Sequence, residues 1–139
     1  MPAEHRDYSG TPLATKLGIR EGSRVLVVAP PDGFSLGPVP HDVDFARRGR
    51  GRLDVVVLFT MRRTELERRF TGLAEALEPN GRLWVAWPKK ASKLPTDLSF
   101  GIVQDTGLTA GLVDNKSVSI DERYQGLQFV YRVKDRSRR

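Results

Sequence analysis

The sequence predicts a single three-layer α/β domain built around a mostly parallel sheet. Two continuous apolar runs, residues 24–29 and 53–59, have the composition of central strands that are covered on both faces. A third run, residues 83–87, follows the second after an amphipathic helical segment, and strands joined in this way run in parallel. The domain is predicted over residues 8–134, with residues 1–7 and 135–139 as flexible termini.

The N-terminal third contains a short helix and two strands. Thr11 is placed to cap this helix, Pro12 suits its first turn, and Gly18 suits its end. After the first strand, a second and shorter strand is predicted over residues 43–46.

The middle of the chain predicts a helix over residues 61–77. Thr64 and Glu67 have the spacing of a capping box at its start. Its apolar face is predicted to consist of Leu66, Phe70, Leu73, Ala74 and Leu77. Residues 78–81, Glu-Pro-Asn-Gly, end the helix before the third strand.

The C-terminal third predicts a helix and two strands. The helix begins at Thr96 or Asp97 and ends near Gly107, and the strands occupy residues 112–120 and 127–133. The last strand alternates with the two-residue period of a pleated sheet, and the short connection before it indicates an antiparallel hairpin. A mostly parallel, Rossmann-like sheet that ends in a hairpin resembles a reduced class I methyltransferase fold. This likeness implies no activity.

The turn after the first strand departs from that fold. Methyltransferases of this class have a glycine-rich turn there, followed by a helix whose amides hold the nucleoside part of the cofactor. Here the turn is Ala-Pro-Pro-Asp-Gly, residues 29–33, whose prolines lack N–H donors. The connection over residues 30–42 is also short for a full helix. We therefore do not expect S-adenosylmethionine to bind in the usual mode; Asp32 and Gly33 form either a contact to a smaller ligand or a plain turn.

The loop after the third strand is the main candidate for a ligand site. Lys89, Lys90 and Lys93 follow a strand end, at the edge where open α/β sheets bind ligands. The helix that begins at Thr96 or Asp97 offers N–H groups to a phosphate or carboxylate. The structural alternative is a set of solvated lysines, with Asp97 capping its own helix.

The net charge of +6 suggests a second kind of partner. Arg47, Arg48, Arg50 and Arg52 form one basic cluster, and residues 132–139 form another. Such clusters bind nucleic-acid phosphates, but they also occur as solvated loops and termini. Since no aromatic residues are interleaved with the arginines, a stacking platform for single strands is not indicated.

Several classes of function are disfavoured. The chain has no cysteine, which excludes disulfides, thiolate nucleophiles and cysteine-ligated metals. We expect a cytoplasmic protein without membrane association, because no apolar run reaches the roughly 18 residues of a span and the N-terminus is not a signal peptide. No metal site is predicted, and neither His5 nor His41 has a nearby group that would make it a catalytic base.

Two further groups of polar residues are weaker candidates. Tyr8, Ser9 and Thr11 precede the first helix, where capping explains the hydroxyls. The hairpin region contains Asp114, Asp121, Glu122 and Tyr124. These groups either line a site or, as we favour, form loop ion pairs with Lys116 and Arg123.

Several segments, in this order, resemble the domain of unknown function 3052 family, which consists mainly of small actinobacterial proteins. They are Tyr8-Ser-Gly-Thr-Pro-Leu-Ala, Lys16-Leu-Gly, Leu83-Trp-Val-Ala-Trp-Pro-Lys-Lys-Ala-Ser, Pro95-Thr-Asp, Gly111-Leu-Val-Asp-Asn-Lys and Asp121-Glu. The resemblance covers the chain from Tyr8 to about Arg136. It departs at Tyr124-Gln125, where the family pattern has Trp-Ser, and in the loop at residues 47–52. The family has no established activity, so the resemblance implies none.

The sequence therefore favours a non-catalytic binding or adaptor domain that recognises an anionic small molecule or a protein partner. The predicted surface is the strand-end face at residues 29–34 and 87–97. A transferase that uses the same face and a basic nucleic-acid-binding protein are the two alternatives.

Overall fold

The computed structural model describes residues 10–137, so His5, Tyr8 and Ser9 lie outside the described residues. The strands within this range are β1 Arg24–Val28, β2 Asp44–Phe45, β3 Leu53–Phe59, β4 Leu77–Pro88, β5 Leu112–Ser119 and β6 Tyr124–Tyr131. The helices are α1 Leu13–Lys16, α2 Arg63–Glu75, α3 Phe100–Thr109 and α4 Val133–Arg136. None of these helices is long and apolar enough to cross a membrane.

The six strands form one mixed sheet in the order β2-β1-β3-β4-β6-β5. Strands β1 to β4 are parallel, and β6 is antiparallel to both of its neighbours, β4 and β5. The predicted α/β fold with a C-terminal antiparallel hairpin is therefore confirmed. The chain leaves β1 in one direction to form β2 and returns on the other side to form β3. This change of direction is a topological switch point, the place where open α/β sheets bind ligands.

Both faces of the sheet are covered, which gives three layers. Helices α2 and α3 cover one face; its buried residues include Leu26, Val56, Leu66, Phe70, Val103 and Phe129. Helix α1 and the loop before β2 cover the other face; its residues include Leu17, Val57, Phe59, Trp84 and Tyr124. The indole of Trp84 is fully buried and donates a hydrogen bond to the carbonyl of Leu17 (2.9 Å). Trp84 and Trp87, which both belong to the apolar run at residues 83–87, are therefore core residues.

The start of α2 differs from the prediction. Thr64 does not cap the helix; it is the second helical residue and is exposed. Instead, Asp97 reaches across from the loop after β4, and its Oδ1 accepts a hydrogen bond from the amide of Arg63 (2.7 Å). Glu67 forms an ion pair with the Arg63 side chain (3.1 Å) and does not complete a capping box.

Helix α3 also begins and ends later than predicted. Its cap is Ser99, whose hydroxyl accepts a hydrogen bond from the amide of Ile102 (3.3 Å). Neither Thr96 nor Asp97 caps α3: the Thr96 hydroxyl donates to the carbonyl of Met61, and the Asp97 carboxylate accepts the amide of Arg63, the first residue of α2. The helix continues past Gly107 because the missing side chain lets it lie directly on β6, where a Cβ would collide with the Phe129 ring.

Strand β4 begins earlier than predicted. Residues 78–81 do not break the chain into a turn but belong to the strand, and the pairing with β3 shifts register there. Gly81 permits the irregularity, since a Cβ at this position would lie 2.8 Å from the carbonyl oxygen of Leu53.

The first and last elements of the fold differ from the prediction in smaller ways. Pro12, not Thr11, occupies the N-cap position of α1, whereas Gly18 ends that helix with a φ of +84°, as predicted. The last strand ends at Tyr131, and Val133, predicted to be part of it, begins α4 and is 77% exposed. Helix α4 extends past the predicted domain end at residue 134.

Candidate ligand-binding site

A cleft of about 310 Å³ opens at the carboxyl ends of β1 and β3, at the topological switch point. We call it the switch-point cleft. It is lined by Ala29, Pro31, Phe59, Thr60, Met61, Arg62, Glu65 and Tyr124. Because the loops that follow parallel strands meet at this edge, residues distant in sequence contribute to one depression.

An aromatic cluster forms the apolar wall of the switch-point cleft. The ring of Phe59 meets Phe34 edge-on at 4.8 Å between centroids and Tyr124 at 5.5 Å. Phe59 and Tyr124 are nearly completely buried. Within residues 10–137 the Tyr124 hydroxyl makes no hydrogen bond, so a polar ligand atom would find a donor and acceptor there.

Ala29, at the end of β1, has a left-handed backbone with a φ of +55°. For a residue with a Cβ this conformation costs about 1–2 kcal/mol relative to the right-handed region. Strain of this kind persists where the surrounding structure enforces it, often near functional sites. Ala29 is exposed and lines the switch-point cleft, which places the strained peptide at the candidate site.

The charges around the switch-point cleft are unevenly paired. Glu65 forms ion pairs with Arg68 and with Arg69 (3.1 Å). The hydrogen bond from Arg68 is the largest influence that lowers the pKa of Glu65, followed by the charges of both arginines. Arg62 has no ion pair in the part of the chain that the structure describes. The cleft therefore has one cation without a carboxylate partner.

A clamp joins this cleft to the loop after β4. The hydroxyl of Thr96 donates to the carbonyl of Met61 (2.6 Å), and the amide of Asp97 donates to the same oxygen (3.3 Å). With the bond from Arg63 to the Asp97 carboxylate, these contacts hold the β3–α2 turn against the β4–α3 loop. The contacts give Thr96 and Asp97 structural roles at the edge of the candidate site.

A second cleft of about 630 Å³ lies beside the clamp, and we call it the lysine cleft. It is lined by Trp87, Pro88, Lys89, Lys90, Lys93, Leu94, Thr96, Leu98, Ser99, Phe100, Gly101 and Gln125. Lys89 donates to the hydroxyl of Ser119 (2.7 Å), whereas Lys90 and Lys93 have no ion pair within the described range. The first turn of α3 borders the cleft, and a Cβ at Gly101 would meet nothing within 4 Å.

The structure brings together most of the residues that the sequence singles out. Lys89, Lys90, Lys93 and Thr96 line the lysine cleft. Asp97 lines the adjoining depression of about 270 Å³, which shares Met61 and Arg62 with the switch-point cleft and Thr96 with the lysine cleft. The three depressions therefore form one continuous edge.

Asp32 and Gly33 do not join this edge. Both are exposed and line none of the three depressions. Gly33 has a φ of +82°, and the amide of Phe34 donates to the carbonyl of Pro31 (3.1 Å), so the segment forms the plain turn that was the alternative interpretation.

Sequence reasoning missed Arg62 and Thr60 as site residues. Their signal was their position directly after the strand at residues 53–59, the end of which faces the switch point. We missed this signal because a helix was predicted from residue 61. That prediction assigned Arg62 to the first helical turn and not to the loop between β3 and α2.

The hairpin residues form no ion pairs in the described part of the chain, contrary to our expectation. Asp121 accepts hydrogen bonds from the amides of Arg123 (2.8 Å) and Tyr124 (2.9 Å), which shapes the turn. Asp114 accepts from the side-chain amide of Gln104 (3.2 Å). His41 is exposed, and residues 10–137 contain no group of three or more His, Asp or Glu placed to hold a metal.

The two basic clusters take different positions. Arg47 and Arg48 line a separate groove against α2, and Arg52 pairs with Glu78 (3.5 Å). In the C-terminal cluster, Arg136 donates to the carbonyl of Tyr131 (3.0 Å). Burial is the largest cause that lowers the pKa of Arg82, followed by the charge of Arg20 and then by the charge of Arg136.

The residues at the switch point do not fit S-adenosylmethionine in the mode of class I methyltransferases. The chain forms no helix between β1 and β2, so there are no helix N-terminal amides at the turn after β1. Pro30 and Pro31 lack N–H groups, and the Phe34 side chain packs against the aromatic wall from the same loop. Beyond β2 the chain continues into Arg47 and Arg48, where dinucleotide-binding folds place an acidic residue for the ribose.

Comparison with known proteins identifies the fold. No family model matches this chain, and no curated protein matches its sequence. Among solved structures, a TehB-like SAM-dependent methyltransferase from Corynebacterium glutamicum is similar with a TM-score of 0.59 and 11% identity, covering 95% of this chain and 100% of that chain.

Two other similar structures are methyltransferases. The magnesium protoporphyrin IX methyltransferase from Synechocystis with bound SAM has a TM-score of 0.55 at 10% identity, covering 93% of this chain and 80% of that one. The ribosomal protein L11 methylase from Lactobacillus delbrueckii has a TM-score of 0.53 at 11% identity, covering 81% and 71% respectively. The chain has a class I methyltransferase-like fold, and identities this low show the fold alone.

Proposed function

We propose that this protein is a non-catalytic binding domain that takes an anionic small molecule at the carboxyl edge of its sheet. The observation that carries the proposal is a set of three cations, Arg62, Lys90 and Lys93, whose side chains have neither an ion pair nor a hydrogen bond within residues 10–137. All three line the continuous edge formed by the switch-point cleft, the depression at Asp97 and the lysine cleft.

The acidic groups at this edge have other partners. Glu65 pairs with Arg68 and Arg69, and the Asp97 carboxylate accepts the amide of Arg63. An anion that approaches the edge therefore meets an excess of positive charge. Charge-assisted hydrogen bonds are among the stronger polar contacts in proteins, and they favour phosphate or carboxylate groups as ligands.

The two clefts suggest different parts of one ligand. The lysine cleft combines cations with the first turn of α3, which suits a phosphate or carboxylate. The switch-point cleft offers the aromatic wall of Phe59 and the free hydroxyl of Tyr124, which suit an apolar or ring-bearing part with one polar atom. A phosphorylated small molecule with a ring meets both requirements.

Calorimetric titration tests this proposal with pyrophosphate, adenosine triphosphate and acetyl-coenzyme A as probes. We expect Arg62→Ala and Lys93→Ala each to weaken binding about 10-fold or more, because a hydrogen bond to a charged group contributes about 1.5–3 kcal/mol. Lys134→Ala, which removes an exposed lysine on α4, is the matched control and should leave affinity unchanged. The proposal fails if no probe binds at millimolar concentration, or if the control weakens binding as much as the site variants.

A transferase is the second candidate function, favoured by the similarity to methyltransferase structures. It requires S-adenosylmethionine to bind at the same edge in a mode that does not use a glycine-rich turn. A thermal-shift titration with S-adenosylmethionine separates the two functions: we expect no stabilisation, whereas stabilisation abolished by Arg62→Ala would favour the transferase.

A further inference from the structure

A groove of about 600 Å³ lies on the face of the sheet that α2 and α3 cover, and it shares Ala29 with the switch-point cleft. We call it the arginine groove. It is lined by Leu26, Val27, Val28, Ala29, Arg47, Arg48, Gly49, Arg68, Arg69, Gly72 and Leu73. One side is the loop between β2 and β3, the other side is α2, and β1 forms the floor.

The groove exists because one helix is missing from this layer. Helices α2 and α3 pack over the remainder of this face, but β2 connects to β3 through a loop without a helix. This loop closes one end of the groove, since a Cβ at Gly49 would lie 3.1 Å from the Leu73 side chain. The floor beside it stays partly open, and Val28 is only partly buried against the core. An α/β layer normally covers such a floor with apolar side chains.

Positive charge flanks the apolar floor on both sides. Arg47 and Arg48 are exposed and have no ion pair in the described part of the chain. On the opposite side Arg68 and Arg69 share one carboxylate, that of Glu65. Four arginines therefore face the groove against a single acidic partner.

Gly72 is a further indication that something approaches this surface. It lies exposed in the interior of α2, where glycine is an unfavourable residue. No close contact among residues 10–137 requires it, because a Cβ there would meet no atom of this range within 4 Å. A missing side chain at this position leaves room beside Leu73 for an external group.

We propose that the arginine groove docks an acidic amphipathic segment of a partner protein. Apolar side chains of that segment lie over Val28 and Leu73, and its carboxylates pair with the arginines on both sides. Nucleic acid fits less well, because phosphates would leave the apolar floor uncovered and no aromatic side chain lines the groove for base stacking. This proposal is independent of ligand binding at the carboxyl edge of the sheet.

Fluorescence anisotropy with synthetic peptides tests the docking proposal on the full chain. The probe is a 14-residue peptide with leucines at helical spacing flanked by glutamates; the control peptide has the same composition in scrambled order. We expect the amphipathic peptide to bind at least 10-fold more tightly than the scrambled one, and its affinity to fall with salt.

Two variants separate the contributions of charge and shape. Arg47→Glu combined with Arg48→Glu should weaken peptide binding more than 10-fold. Gly72→Trp fills the groove without changing the charge and should also weaken it more than 10-fold; Gly72→Leu is the milder variant if the tryptophan impairs folding. Leu108→Trp is the matched control on α3; Leu108 is exposed and lines neither the arginine groove nor the lysine cleft, so this variant should leave peptide affinity unchanged.

A single-stranded 20-nucleotide DNA serves as the competing ligand. The proposal is overturned if the DNA binds more tightly than the amphipathic peptide and if Gly72→Trp leaves the affinity for DNA unchanged. In that case the arginines would act as a phosphate-binding surface that does not need the groove. It is also overturned if amphipathic and scrambled peptides bind equally, or if neither binds at millimolar concentration.

Discussion

The cap of α2 gives the sharpest stability test of the structure. Asp97 is distant from this helix in sequence, yet its Oδ1 accepts the amide of Arg63 at 2.7 Å. Removing an N-cap acceptor costs about 0.5–2 kcal/mol, and the lost negative charge at a helix N-terminus adds about 0.3–1 kcal/mol. We therefore expect Asp97→Ala to destabilise the protein by about 1–3 kcal/mol. The backbone bond from Asp97 to Met61 stays in place, so the loss reports the side chain.

Thr64→Ala is the matched control, because a capping box would make Thr64 the cap. In the structure Thr64 is an exposed second residue of the helix, where alanine has the better helix propensity. We expect this variant to be neutral or about 0.5 kcal/mol more stable. If Asp97 caps α2, Asp97→Ala destabilises the protein and Thr64→Ala does not. If Thr64 capped the helix, the effects of the two variants would be reversed.

Urea unfolding followed by circular dichroism measures both variants, and Asp97→Asn, which keeps an acceptor oxygen, should retain most of the stability. In thermal unfolding, a loss of 1 kcal/mol corresponds to roughly 3–5 °C for a domain of this size. The account of α2 is refuted if Thr64→Ala destabilises by 1 kcal/mol or more while Asp97→Ala is neutral.

The other predictions concern two glycines and one carboxylate. Gly107→Ala should destabilise the protein by about 1–3 kcal/mol, because its Cβ collides with the Phe129 ring. Gly72→Ala should stabilise it by about 0.5–1 kcal/mol, because a Cβ there meets no atom of residues 10–137 within 4 Å and alanine has the better helix propensity. Equal effects of the two variants in urea unfolding would contradict the packing of α3 against β6. Because Arg68 lowers the pKa of Glu65 below its ordinary value of 4.5, the stability that Glu65 contributes is present above that pH and is lost as pH falls through the lowered pKa. The stability difference between wild type and Glu65→Gln should therefore shrink on acidification from pH 5, and a difference that grows would contradict the ion pairs.

The sequence was sufficient for β1 and β3 because these central strands are covered on both faces. β3 occupies residues 53–59 as predicted, and β1 ends one residue earlier than predicted. Continuous apolar runs and a helix of 3.6-residue period are local signals, so no tertiary information was needed. The burial of Trp84 and Trp87 followed from the same pattern.

The errors arose where a distant residue replaced a local partner. The capping box at Thr64 was a valid local pattern, but Asp97 binds the amide of Arg63 from another loop. Asp97 is therefore not the cap of α3, whose N-cap is Ser99 and whose first residue is Phe100. The bulge in β4 depends on the close approach of Gly81 to β3, which a Pro-Asn-Gly sequence does not distinguish from a turn.

The candidate site was predictable in part, where its position depends only on the order of elements along the chain. The lysine loop follows a strand end, and its position at the carboxyl edge follows from the order of elements along the chain. Arg62 and the aromatic wall required the strand order, because Phe34, Phe59 and Tyr124 meet only after the sheet has formed. Sequence alone placed Tyr124 among the polar residues of the hairpin and gave no indication of these ring contacts.

Amide chemical shifts during a titration with adenosine triphosphate test the central claim most directly, because they locate the bound anion on the sheet edge. We predict saturable shifts at Arg62, Lys90 and Lys93 and in the first turn of α3, with no comparable shifts in α4. Shifts confined to residues 47–52, or none at millimolar concentration, would contradict an anion-binding edge at the carboxyl ends of the strands.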